Sequence, residues 1–196
     1  MRVKNKKQIF NIIIVGVGGQ GLITLNQVIA EAAKIEGYDV KTSELHGLSQ
    51  REGSVETHLR FSKKIYSPLV PTGGVDLIFG LEITEGWRVA SYATSKTLFL
   101  INKNYIHFVP ELSEESVIKK IKTLIKNNLF LIPASEICQK ELEKEVVSGV
   151  YLLSYAVFKK MIPLKPNSVL EAIEKVIPQK YLELNKRAFY LAKKKI

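Results

Sequence analysis

The sequence predicts an α/β domain of three layers, with a mainly parallel sheet and a helical C-terminal region. Three observations carry that expectation. An apolar run near the start ends in a glycine-rich turn and continues into an amphipathic helix, the opening of a parallel strand–helix unit. Short apolar runs then alternate with helical segments through the middle of the chain. The final part carries helical periodicity punctuated by Pro163, Pro166 and Pro178. With 196 residues and 46% hydrophobic content, the chain can bury one sizeable core but is short for two, so a single domain is expected.

Each element follows from its residues. Over residues 9–15 only Asn11 interrupts an apolar, largely β-branched run, which reads as a strand buried on both faces. Residues 16–21 supply a turn. Leu22, Leu25, Ile29, Ala32 and Ala33 then recur at helical spacing as far as Gly37, a helix stop. Residues 38–43 return as a second strand. Val55, Thr57, Leu59 and Phe61 alternate with Glu56, His58 and Arg60, predicting a strand with one half-exposed polar face. Ile65 and Tyr66 continue it as a hairpin across Lys63 and Lys64, before a breaker-rich loop over 68–74. Residues 76–80 and 97–101 are strands, separated by a helix of about three turns over 82–92.

Beyond Pro110, Ser113 with Glu114 and Glu115 caps a helix whose Val117, Ile118, Ile121, Leu124 and Ile125 oppose Lys119, Lys120, Lys122 and Lys126. Residues 129–132 form another strand. Residues 136–161 are helical in one or two pieces. A helix over 169–177 follows a capping box of Ser168 and Glu171, and a last helix covers 181–195.

Composition narrows the function. The formal charge is +10, from 29 Lys and Arg against 19 Asp and Glu, spread over many lysines rather than one tract. Such a surface attracts anions, although solvated helix faces account for most of it. Nucleic-acid binding rests on charge alone, without a reader motif, and is not expected. The single cysteine, Cys138, excludes an internal disulfide and any thiolate cluster, and reads as an apolar filler. The basic start followed by an apolar stretch imitates a secretory signal, but Asn11 and the glycines break it. No apolar run approaches the roughly 20 residues that span a bilayer, so a cytoplasmic protein with no membrane contact is expected.

His46, His58 and His107 are scattered, with no metal-ligand spacing, and no metal site is expected. Ser91, Ser95 and Ser148 lack a strand-to-helix elbow, so no catalytic residue is assigned. The informative segment is Gly16-Val17-Gly18-Gly19-Gln20-Gly21, a G-x-G-x-x-G loop between a strand and a helix, as in Rossmann-like domains. Its glycines permit the tight turn, backbone approach to a phosphate and close strand–helix packing. Packing alone is the competing reading. A nicotinamide or flavin ligand would also want an acid at the end of the second strand, for which Glu44 is the candidate. Arg51, in the polar 46–54 segment, either clamps a phosphate or carboxylate or pairs with Glu52 or another subunit.

These motifs together resemble the gamma-type subunits of the 2-oxoacid:ferredoxin oxidoreductase family, in particular its indolepyruvate branch. The likeness is carried by GVGGQG over 16–21, by LSQREGSVETHLRFS over 48–62, by Asp76 with Glu82 and Arg88, by Asn102 ahead of Pro110, and by Asn185, Ala188 and Phe189. Ser148, Ser154 and Ala192 depart from the pattern. The resemblance covers nearly the whole chain and implies one gamma-type domain over 1–196. It implies a complex that converts an aryl pyruvate and coenzyme A to an aryl acetyl-CoA and CO2, reducing ferredoxin. Thiamine diphosphate and iron–sulfur clusters would belong to a large partner subunit, with no cofactor tightly bound here. This chain's share would be a loop for the coenzyme A phosphates, formed by Gly16, Gly18, Gly19, Gln20 and Gly21, with Arg51 near the subunit interface. The open alternatives are a nicotinamide- or flavin-binding subunit and a purely structural partner.

Overall fold

The computed structural model describes residues 9–46, 53–106, 113–125 and 127–196. Six strands form one sheet: β1 (Ile9–Val17), β2 (Asp39–His46), β3 (Ser54–Ser62), β4 (Leu77–Gly80), β5 (Leu98–Asn102) and β6 (Leu129–Ile132), in the order β2-β3-β1-β4-β5-β6. β1, β4, β5 and β6 run parallel, whereas β3 pairs antiparallel with both β1 and β2. The expected mainly parallel α/β sheet is therefore present, with one reversed strand wedged beside its centre.

β1 is central because its side chains are apolar on both faces. Ile12, Ile13, Ile14 and Val15 are each fully buried, and burial of side chains of this size contributes roughly 1.5–3 kcal/mol apiece. Ile12 and Ile14 face a thick helical layer, and Ile13 and Val15 a thinner one. The thick layer holds α1 (Leu22–Ile35), α4 (Ala134–Leu142), α5 (Ser148–Phe158), α6 (Pro166–Val176) and α7 (Gln179–Lys194). The thin layer holds α2 (Ile83–Arg88) and α3 (Glu114–Ile125). The result is the three-layer arrangement with a helical C-terminal region.

Four local expectations are corrected. Ile65 and Tyr66 do not extend a hairpin; the Ile65 amide instead donates to Asp39 Oδ2 at 2.8 Å, turning the chain away from the sheet. The helix expected over 82–92 is a short α2 followed by a 3-10 turn at Ala90–Tyr92. α6 starts at Pro166 with Lys165 as its cap, since proline fits the first helical position, so Ser168 lies buried inside the helix and is not its cap. The polar face of β3 is not half-exposed at Glu56 and His58: both are buried beneath α2 and the β3–β4 connection. The helical stretch over 136–161 does divide in two, at Glu143, whose φ is 58°.

Cys138 faces the core from α4 and is fully buried. Burial pushes its thiol up to about 12, which suppresses the thiolate at neutral pH. Iodoacetamide at pH 8 should therefore leave the native protein unmodified and label one thiol per chain once urea unfolds it. Mass spectrometry of the native and unfolded samples checks this, and fast native labelling would contradict the packing.

Candidate functional site

The glycine loop lies where β1 hands over to α1, at the end of the sheet where β4 and β5 also finish. Gly16 still belongs to β1. A Cβ there would sit 2.5 Å from Gln20 Oε1 and 3.1 Å from Leu81 Cβ, so the close passage of the chain leaving β4 demands glycine. Gly19 and Gly21 have φ of 95° and 78°, a left-handed backbone that strains any other residue.

The loop braces itself. The Val17 amide donates to Gln20 Oε1 at 2.8 Å, and the Gln20 amide donates to the Val17 carbonyl at 3.2 Å. The Gly18 amide donates to the carbonyl of Gly53, just ahead of β3, at 2.9 Å. Gly18 and Gln20 thus spend their amides on shape. Donors remain at the start of α1. Gly21 is the cap residue and has no side chain to cap the first turn, and among the described residues that turn holds no acid. The first helical bond runs from the Leu25 amide to the Gly21 carbonyl at 3.0 Å, so the Leu22, Ile23 and Thr24 amides have no acceptor within the helix. An uncapped helix start of this kind favours an anion.

Beside the loop, the buried face of β3 carries a chain of polar contacts. Ser54 Oγ donates to Glu85 Oε1 at 2.6 Å, and Arg88 donates through Nε to Glu85 Oε2 at 2.9 Å. Arg88 Nη1 also donates to Glu56 Oε2 at 3.0 Å, and His58 Nε2 lies 2.7 Å from Glu56 Oε1. His58 Nδ1 accepts the Val70 amide at 2.9 Å, so the ring proton sits on Nε2 and is donated to Glu56. Burial is the largest single influence on the Glu56 carboxyl and would push it up. The hydrogen bonds from His58 and Arg88 and the Arg88 charge together outweigh it, holding this carboxyl below the usual carboxylate range.

The motif residues near the strand ends act as clamps. Glu82, fully buried, accepts from the amides of Glu85 (2.8 Å) and Ile106 (3.0 Å). The Asn102 side-chain amide donates to Ser135 Oγ at 2.8 Å while its oxygen accepts the Ser135 amide at 3.2 Å, tying β5 to α4. Asp76 accepts the Asn11 amide at 2.9 Å at the opposite end of the sheet.

The structure thus keeps Gly16, Gly18, Gly19, Gln20 and Gly21 together in one turn. Arg51, with Gln50 and Glu52, lies outside the described residues. Glu44 stands on β2, and β3 separates that strand from β1, placing this acid about 10 Å to the side by strand spacing alone. That geometry is poor for a ribose held over the loop. The sequence reading missed Glu85 and placed Ser54 only within the 48–62 stretch; the signal for their network was the polar alternation in β3, read there as a half-exposed face. Among the described residues no group of three His, Cys, Asp or Glu side chains is arranged to hold a metal, and no helix is long and apolar enough to cross a membrane.

The sequence pattern of the pyruvate ferredoxin/flavodoxin oxidoreductase family matches residues 11–194. The chain is 35% identical over 190 residues to the indolepyruvate oxidoreductase subunit IorB of Archaeoglobus fulgidus, covering 91% of this chain and 90% of that one. It is 32% identical over 191 residues to the protein of the same name from Pyrococcus horikoshii, covering 94% and 95%. Among solved structures, the pyruvate oxidoreductase subunit PORC of Thermotoga maritima superposes with a TM-score of 0.70 at 19% identity, over 96% of this chain and 97% of that one. The 2-oxoglutarate:ferredoxin oxidoreductase of Magnetococcus marinus, solved with coenzyme A bound, superposes with a TM-score of 0.71 at 20% identity, over 96% of this chain but 31% of that one.

The Glu56 network makes a pH-dependent contribution whose sign is fixed. A carboxyl held below 4.5 in the folded chain stabilises it above that pH, and the stabilisation fades as pH falls through the folded value. Glu56→Gln should cost about 1–3 kcal/mol at pH 7, where wild type keeps the charge. The gap should narrow at about pH 3.5, below the ordinary carboxylate value, where the stabilisation tied to this charge is already fading. Urea unfolding of both proteins at the two pH values measures this, and a gap that widens in acid would refute the assignment.

Proposed function

The chain belongs to the pyruvate ferredoxin/flavodoxin oxidoreductase family, and on that premise we propose that residues 1–196 work as one gamma-type domain, the non-thiamine subunit of a cytoplasmic complex oxidising aryl pyruvates such as indolepyruvate. In this reading an aryl pyruvate and coenzyme A give an aryl acetyl-CoA and CO2, and the electrons pass to ferredoxin. The indolepyruvate oxidoreductase subunits among its relatives support the substrate class.

Thiamine diphosphate and iron–sulfur clusters supply the decarboxylation and electron chemistry of such a complex, and the residues of this chain do not fit either group. Its only cysteine is sealed in the core with a thiol pushed up to about 12, so no thiolate set for a cluster exists. Its two aspartates, Asp39 and Asp76, hold the amides of Ile65 and Asn11 at the end of the sheet remote from the glycine loop. They are spent on backbone and do not frame a metal–diphosphate site. Both groups therefore belong to the large partner subunit in this reading, and no catalytic residue is assigned here.

The contribution of this chain is to hold the coenzyme A phosphates at the loop of Gly16, Gly18, Gly19, Gln20 and Gly21, with Arg51 toward the subunit interface. The start of α1, with a glycine cap and no acid in its first turn, carries this reading. Gly18 and Gln20 shape the turn, and the contacts to phosphate come from the Gly19 backbone and the first amides of α1. The displaced Glu44 counts against a nicotinamide or flavin ligand. A purely structural subunit remains the competitor, favoured by the Gly18 amide being already spent on Gly53.

Position 19 separates them, because a Cβ added there meets nothing within 4 Å. Gly19→Asp and Gly19→Asn share the same backbone strain and differ in charge. In the reconstituted complex Gly19→Asp should raise the KM for coenzyme A about tenfold over Gly19→Asn, corresponding to about 1.4 kcal/mol, with kcat at saturation little changed. Equal KM values in the two variants would leave the loop structural.

A further inference from the structure

The end of the sheet remote from the glycine loop carries a fastened surface element. The β3–β4 connection, residues 63–76, is long, and long connections without secondary structure in compact domains are commonly functional. This one is tied down by side chains of three strands. Arg60 Nη1 donates to the carbonyls of Ser67 and Leu69, both at 2.9 Å, while its Nε donates to Asn11 Oδ1 at 2.8 Å. Asn11 Nδ2 in turn donates to the Gly74 carbonyl at 2.8 Å. Asp39 holds the Ile65 amide, and His58 the Val70 amide at 2.9 Å.

The side chains on this connection divide sharply. Ile65 and Val70 point inward and are each 3% exposed, which closes the core. Tyr66 and Leu69, beside them, point outward at 86% and 51% exposure. Closing the core requires nothing apolar at those two positions. Lys63 and Lys64 are exposed next to them, and Lys64 Nζ stands 5.4 Å from the Tyr66 ring centroid. A surface hollow lined by Gly73, Gly74, Thr94 and Lys96, among others, opens at the same end of the sheet.

We infer that Tyr66 and Leu69, held out by the Arg60, Asn11, Asp39 and His58 tethers and flanked by Lys63 and Lys64, form a preformed knob that docks into an acid-rimmed apolar recess on the large partner subunit. Aromatic anchors dominate interface energetics, and a loop already fixed in its bound shape loses little entropy on docking. Charge selects the occupant. A second copy of this chain would bring its own Lys63, Lys64 and Lys96 and another +10 to the contact, whereas an acidic rim on a different chain complements it. This inference rests on the proposed heteromeric assembly.

The test uses the full chain and its large subunit, with assembly followed by sedimentation at fixed salt. Tyr66→Ser/Leu69→Ser should leave the melting temperature of the isolated chain unchanged within error, since both side chains are outside the core, and weaken the complex at least tenfold. Lys63→Glu/Lys64→Glu should weaken it as well, by a smaller factor that shrinks as salt is raised. Wild-type binding retained in the apolar double variant would overturn the docking role and leave the proposed function standing. A wild-type chain that binds no large subunit would overturn both. A homodimer of the isolated chain that Tyr66→Ser dissolves would overturn the choice of occupant.

Discussion

The polar row on the inner face of β3 is the constraint around which this molecule is arranged. A strand lying against the centre of a sheet cannot leave Glu56 and His58 buried and unpaired, because an isolated buried carboxylate is far costlier than the contacts that satisfy it. The fold meets this by drawing Arg88 in from α2 and the Val70 amide in from the β3–β4 connection. The short α2 brings Arg88 and Glu85 within reach of this row. Such networks seldom add much net stability over an apolar equivalent. Their effect here is geometric, since they fix where one helix and one long connection lie against the sheet.

That arrangement explains which parts of the fold were legible in the sequence. β1, the glycine loop and α1 were readable because a doubly buried strand, a glycine turn and an amphipathic stripe each leave a periodic trace in their own residues. α3 was readable for the same reason: Val117, Ile121 and Ile125 are buried while Lys119, Lys120 and Lys122 are exposed. The burial of β3 was not readable. Period-two alternation separates Glu56, His58 and Arg60 from Val55, Leu59 and Phe61, but it does not say what covers either face. Ile65 and Tyr66 read as a strand because local propensity cannot register that Asp39, far away in sequence, captures the Ile65 amide.

The candidate site divides in the same way. The turn formed by Gly16, Gly18, Gly19, Gln20 and Gly21 was evident from the motif, because left-handed positions at 19 and 21 and a crowded one at 16 write themselves as glycine. The use of individual amides was hidden, since the bond from Gly18 to Gly53 and the inward turn of Gln20 depend on where β3 begins. Strand order was hidden too. A motif shared with dinucleotide-binding domains implies a parallel second strand next to the first, and here an antiparallel strand occupies that place.

That insertion bears on what the loop can recognise. In a dinucleotide site, ribose and diphosphate are read together, the diphosphate by the helix start and the ribose by an acid on the neighbouring strand. With β3 interposed, the neighbour of β1 presents Gly53 and Ser54 to the loop, a backbone carbonyl and a hydroxyl already engaged with Gly18 and Glu85. Among the described residues the acid half of that reading apparatus is missing beside β1, while the helix start remains. A helix start alone favours an anion by charge and shape and does not choose the molecule attached to it. In the proposed phosphate-binding reading, selectivity for the attached molecule would come from surfaces beyond this loop, a division of labour that suits a subunit working against a second chain.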